Sequence, residues 1–161
     1  MLAKRSLKQC RRAATVVETA FVLTICVILI LAVFEYGRFL MIRQMVDNAA
    51  REGARQAVVG ANTSASMTTI QTTVLDYLAG QPLRNTSGTP LAASDIQVYL
   101  ADPATGAPAV PSSAWTNATF GSTIAVSITT VYQPMLPSFG FLPTSITMKS
   151  TVLMQSEAYG L

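Results

Sequence analysis

Apolar residues run without interruption from Thr19 to Phe34 (TAFVLTICVILILAVF), sixteen uncharged positions bracketed by Glu18 and Glu35. At 1.5 Å per residue they span about 24 Å, short of a hydrocarbon core of about 30 Å. Counted from Ala13 the run has twenty-two residues and spans about 33 Å, which predicts a transmembrane helix with Glu18 just inside one end. No proline follows Phe34, and Phe39, Ile42, Val46, Ala49, Gly53 and Ala57 recur at three- and four-residue spacing, one apolar stripe of a continuing helix. Arg43, Asp47 and Arg51 succeed one another every fourth residue, so a different face is solvated. Toward its end the stripe shrinks to Ala and Gly, which lets whatever packs there approach the backbone closely. Gly60 is a natural stop. A helix over 14–59, about 69 Å long, needs partners along its length: lipid below, a head domain or neighbouring subunits above.

The remaining residues predict a small α+β head. Ser64 or Ser66 can cap a second helix that ends near Leu78, with Met67, Ile70, Val74 and Leu78 at helical spacing. The Ala79-Gly80-Gln81-Pro82 segment closes it, and Arg84 to Ala93 reads as a loop. Alternation at Ile96, Val98 and Leu100 predicts a strand, followed by the turn-like Asp102-Pro103-Ala104-Thr105-Gly106. Two further strands are marked by Ile124, Val126 and Ile128, and by Ile146, Met148, Val152 and Met154. Between them, Tyr132 to Pro143 combines three prolines with Met135, Leu136, Phe139, Phe141 and Leu142. Proline excludes a central strand there, leaving an apolar loop that packs over the head or faces a partner or the membrane. Trp115, the lone tryptophan, is expected to anchor packing. So small a head is marginal alone, and packing on the outer half of the long helix would supply its missing face.

Composition sharpens this picture. Half of the 161 residues are hydrophobic and 12% are charged, against about a quarter in soluble domains. The net charge of +3 hides an asymmetry: Lys4, Arg5, Lys8, Arg11 and Arg12 precede every acidic residue. Such a leader is a positive-inside signal, placing the N-terminus in the cytoplasm and everything beyond about Tyr36 outside. A nucleic-acid partner would need a basic patch on a folded face, and none is expected. Two cysteines, Cys10 in the leader and Cys26 in the apolar run, make no disulfide framework. Histidine is absent, which removes His-based nucleophile systems and His-ligated metals. The acidic residues form no paired motif, there is no Gly-rich phosphate loop and no CxxC. No enzyme activity and no cofactor are therefore expected. After the apolar run Glu35-Tyr36-Gly37-Arg38 offers no small-x-small cleavage site, so a secretory signal peptide fits poorly. A carboxylate at Glu18 is costly within a span and invites a functional role, whereas pairing with Arg11 on the same helix face is the bland alternative.

Taken in order, Arg11-Arg12, Ala13 or Ala14, Glu18, Glu35-Tyr36-Gly37-Arg38 and Asn48-Ala49-Ala50-Arg51-Glu52-Gly53-Ala54-Arg55 resemble the N-terminal region of TadE-like proteins of tight-adherence (Flp) pili. The resemblance covers Arg12 to Ala57. It implies a pseudopilin or minor pilin of a type IV-like pilus assembly or secretion system, a single-pass protein of the bacterial inner membrane that packs laterally with other subunits. Prepilin-peptidase processing is also implied, between Ala13 and Ala14, with Glu18 at the fifth position of the new chain. The departures are Ala13 where glycine is usual and Thr19 where an aromatic often follows the glutamate. Glu35, Tyr36, Gly37, Arg38, Ala49 and Gly53 are the subunit-packing positions that follow from it. The alternative is a plain single-pass anchor presenting a binding head unrelated to pili. The expected organisation is a basic leader over 1–13, the helix over 14–59 and an extracytoplasmic head over 60–161 with one further helix and a short antiparallel sheet.

Overall fold

The computed structural model describes residues 3–60, 66–109, 115–135 and 143–156, with side chains from Ala14 onward. Helix α1 runs over Ala3–Gly60 and α2 over Met67–Tyr77; the strands are β1 (Leu83–Arg84), β2 (Ile96–Ala101), β3 (Thr123–Tyr132) and β4 (Ile146–Gln155). This is the expected α+β arrangement, a long apolar N-terminal helix, a second helix and a small antiparallel sheet. The helix ends at Gly60 as its sequence predicts, but it begins within the stretch read as a leader. Loop residues 136–142, with Phe139 and Phe141, lie outside the described residues.

The chain divides into two compact units, Met1–Arg38 and Phe39–Leu161. The head thus begins inside α1 rather than after it. The physical reason is the apolar stripe: Ile42, Val46, Ala49, Ala50, Ala54 and Ala57 are all fully or almost fully buried and share one core with Ile70 and Val74 of α2 and Ile124, Val126, Ile128 and Tyr132 of β3. Phe39 opens this contact with its ring edge-on to Tyr132, centroids 5.5 Å apart. The head folds around its own stretch of helix.

β3 is the centre of the sheet. It pairs with β4 along its whole length, from Thr123↔Gln155 to Tyr132↔Ile146. Its other edge is shared by β2, from Ala101↔Thr123 to Ile96↔Ile128, and by the short β1 at Leu83↔Tyr132 and Arg84↔Val131. β1 falls where the sequence predicts the end of a turn and the start of a loop; at two residues it is too short to leave an alternating pattern. Even-numbered β3 residues face the helices. The odd-numbered ones are largely buried too, and beside Ala125 on that face Tyr99 Oη donates to Gly106 O at 3.2 Å. Gly106 adopts φ +68°, a conformation that suits glycine, while a Cβ there would make only ordinary contact with Leu153 Cδ1 at 3.5 Å.

α2 is capped by Ser66, whose Oγ accepts from Thr69 N–H at 3.4 Å. This resolves the choice between Ser64 and Ser66. Its buried Gln71 reaches out of the helix, Nε2 donating to Ala93 O at 2.8 Å and Ile96 O at 3.2 Å. Those two carbonyls bracket the entry to β2, so one amide side chain fixes α2 to the sheet. Trp115, in a short 3₁₀ turn over Trp115–Asn117, is buried in the core, the packing role its sequence context suggests.

Candidate functional site

The functional surface begins with the first part of α1. From Ala14 to Phe34 every residue is exposed, including Phe21, Leu23, Ile28, Leu29, Ile30, Val33 and Phe34. Of the most apolar window of this helix none is covered by the protein itself. Leaving so many Leu, Ile, Val and Phe side chains in water would forfeit roughly 1.5–3 kcal/mol apiece, and contiguous apolar surface of this extent marks an interaction site. Two polar side chains in the run have been disarmed: Thr19 Oγ1 donates to Thr15 O at 2.8 Å and Thr24 Oγ1 to Ala20 O at 2.8 Å. Both hydroxyls are thus satisfied inside the helix, the condition for lying in hydrocarbon.

Ala14 and Glu18 lie exposed at the N-terminal end of this surface. The Ala13–Ala14 bond lies within α1, so cleavage there requires the helix to open locally. Arg11, the alternative partner for Glu18, falls where side chains lie outside the described residues. Glu35 and Arg38 are half-buried and Tyr36 exposed, while a Cβ on Gly37 would meet nothing within 4 Å. Gly37 therefore presents an open notch.

Ala49 and Gly53, the other two positions read as subunit-packing, lie in different surroundings. Ala49 is fully buried, and a Cβ on Gly53 would lie 2.8 Å from Val74 Cγ2, 3.4 Å from Val126 Cγ1 and 3.6 Å from Ile70 Cγ2. The small residues do permit close approach, but what approaches is α2 and β3 of the same chain. Within the chain that face is occupied by its own head. The solvated face of the same turns carries the Glu52–Arg55 pair, with Arg55 Nη2 to Glu52 Oε1 at 2.8 Å and Nε to Oε2 at 3.1 Å. The hydrogen bond from Arg55 holds the Glu52 carboxyl below its ordinary value, outweighing the small opposing effect of burial.

These features define the class: a protein with, among its described residues, one candidate membrane span near the N-terminus, whose head is built on the continuation of that same helix. Within the class, residues 13–55 match the family described as TadE-like protein. The match covers about a quarter of the chain, all of it within α1. The match takes in the whole apolar run and the Ala/Gly-rich turns, and leaves α2 and the sheet outside it. No curated protein and no solved structure matches the chain.

Sequence reasoning missed two kinds of residue. Gln71 carries no signal, because an isolated polar residue on a helix is usually solvated. Lys149 and the edge of β4 on which it sits escaped because an exposed lysine in a strand is ordinary until the neighbouring helix is placed beside it.

Proposed function

We propose that this chain is a pseudopilin or minor pilin of a tight-adherence, type IV-like pilus assembly. α1 crosses the bacterial inner membrane with its basic end in the cytoplasm and carries the head outside. A prepilin peptidase cuts between Ala13 and Ala14, and the new ammonium lies one helical turn from Glu18, where it or a neighbouring subunit's ammonium neutralises the carboxylate. That offsets the cost of an acid inside the span. Glu35, Tyr36, Gly37 and Arg38 then offer the lateral contact to other subunits. The reading is non-catalytic.

The observation that carries it is a coincidence of positions: the TadE-like match covers the same stretch of α1 whose apolar side chains the protein leaves uncovered. Intact-mass analysis of membrane-extracted protein from its host tests the processing step. A mass lacking Met1 to Ala13 is expected; a full-length chain contradicts it. Glu18→Gln should leave membrane insertion intact and impair pilus assembly, and normal pili from that variant would remove Glu18 from its role.

A second reading is supported by the limit of the family match, which stops before the sheet: a single-pass anchor whose head binds something other than pilus subunits. Uncleaved protein dispersed in the membrane, with no effect of its loss on pili, would favour it.

A further inference from the structure

Within the head, α1 and β4 flank a groove of about 360 Å³ lined by Phe39, Arg43, Val46 and Asp47 on the helix and by the consecutive residues Ile146 to Ser150 on the strand. That volume lies in the range of small-molecule sites. Phe39, Val46, Ile146 and Met148 give it an apolar floor, all four belonging to the core or packing against it. Arg43 and Lys149 are both among its lining residues and both exposed, and neither makes an ion pair or hydrogen bond with any other described residue. Asp47 is the only acid in the lining. The groove therefore combines an apolar base with two uncommitted cations.

Its position narrows the choice of ligand. Phe39 follows Phe34, the last residue of the apolar run, by five residues. Whatever the orientation of the head, at most about 18 Å of chain separates the groove from the end of the span. Resting on the membrane-anchored reading above, we propose that this groove holds the headgroup of an anionic phospholipid from the bilayer in which the chain is anchored. Arg43 supplies the forked donor that suits a phosphate and Lys149 a second positive charge, while the apolar floor receives the glycerol and the first methylenes. A strand added to the open edge of β4 is the competing occupant. It is disfavoured because Lys149 stands on that edge, the device by which edge strands resist pairing.

The test uses the full chain in nanodiscs containing equal amounts of phosphatidylcholine and phosphatidylglycerol, with lipid retention read by native mass spectrometry. Phosphatidylglycerol should be retained preferentially. Each cation near an anionic headgroup contributes about fivefold, so Arg43→Gln with Lys149→Gln should lower that preference about 25-fold. Arg43→Lys with Lys149→Arg should keep most of it. A fluorophore on Thr147→Cys should report a shift on changing from neutral to phosphatidylglycerol-containing discs, and the Gln variant should abolish that shift. Equal retention of the two lipids, or a preference indifferent to both cations, overturns the proposal. Chains joined through β4 with no bound lipid would overturn it in favour of strand addition. Protein that leaves the nanodisc altogether would refute the anchored reading itself, an outcome distinct from loss of lipid preference.

Discussion

The two parts of α1 invert the usual relation between hydrophobicity and burial. From Ala14 to Phe34 the helix is mostly Leu, Ile, Val and Phe and is exposed, whereas beyond Phe39 its inward face is mostly Ala and Gly and is buried. On the membrane-anchored reading the solvents differ. Lipid rewards bulk apolar surface and sets no shape, so large aliphatic residues on every side serve it. A protein core rewards close fit, and here the fit is a three-way approach of α1, α2 and β3 at Gly53.

Breaking each half should therefore take a different substitution. The largest effect is expected from a charge in the span: Ile28→Lys should cost about 3 kcal/mol of insertion, read as loss of the protein from carbonate-washed membranes. Normal membrane retention would mean that the apolar run does not cross lipid. In the buried half the damaging change is added volume. Gly53→Leu must displace Val74 and Val126 and should destabilise the head by about 2 kcal/mol, even though leucine is the better helix former. Gly37→Leu, in open space, should leave the head's melting temperature unchanged. Equal effects at the two glycines would show that Gly53 is not at a close approach.

Smaller effects sharpen the description of the head. Gln71→Ala removes both bonds to the entry of β2 and should cost about 1–2 kcal/mol in thermal denaturation, with faster amide exchange at Ile96 to Val98 as its signature. The smallest effect belongs to Glu52. Because Arg55 depresses its folded-state value, the stabilisation is present above the ordinary glutamate range and is lost as pH falls through the depressed value. For so exposed a pair, Glu52→Gln should change stability at the edge of detection and flatten only the acid side of the pH profile.

Much of this was legible in the residues, for reasons that differ by region. The span declared itself because sixteen uncharged residues exceed what most buried core helices carry. β3 and β4 declared themselves through alternation, and α2 through Ile70, Val74 and Leu78. The division of α1 between an uncovered part and the head was harder to see. The stripe from Ile42 to Ala57 says that something packs closely, and a neighbouring subunit and the chain's own sheet predict the same stripe. Only the positions of Val74 and Val126 against Gly53 decide between them. The α1–β4 groove was illegible for a related reason: Arg43 and Lys149 lie far apart in sequence, and only the fold places both in one groove.

Cys26 offers the most direct test of the central claim, since it is exposed on α1 in the middle of the apolar run and no described part of the protein shields it. In a Cys10→Ser background, a membrane-impermeant maleimide should fail to label Cys26 in sealed membranes and should label it fully once the bilayer is dissolved in denaturant, while Gln44→Cys on the head side reacts in intact spheroplasts. Prompt labelling of Cys26 in sealed membranes, with Gln44→Cys unreactive until they are opened, would contradict the account.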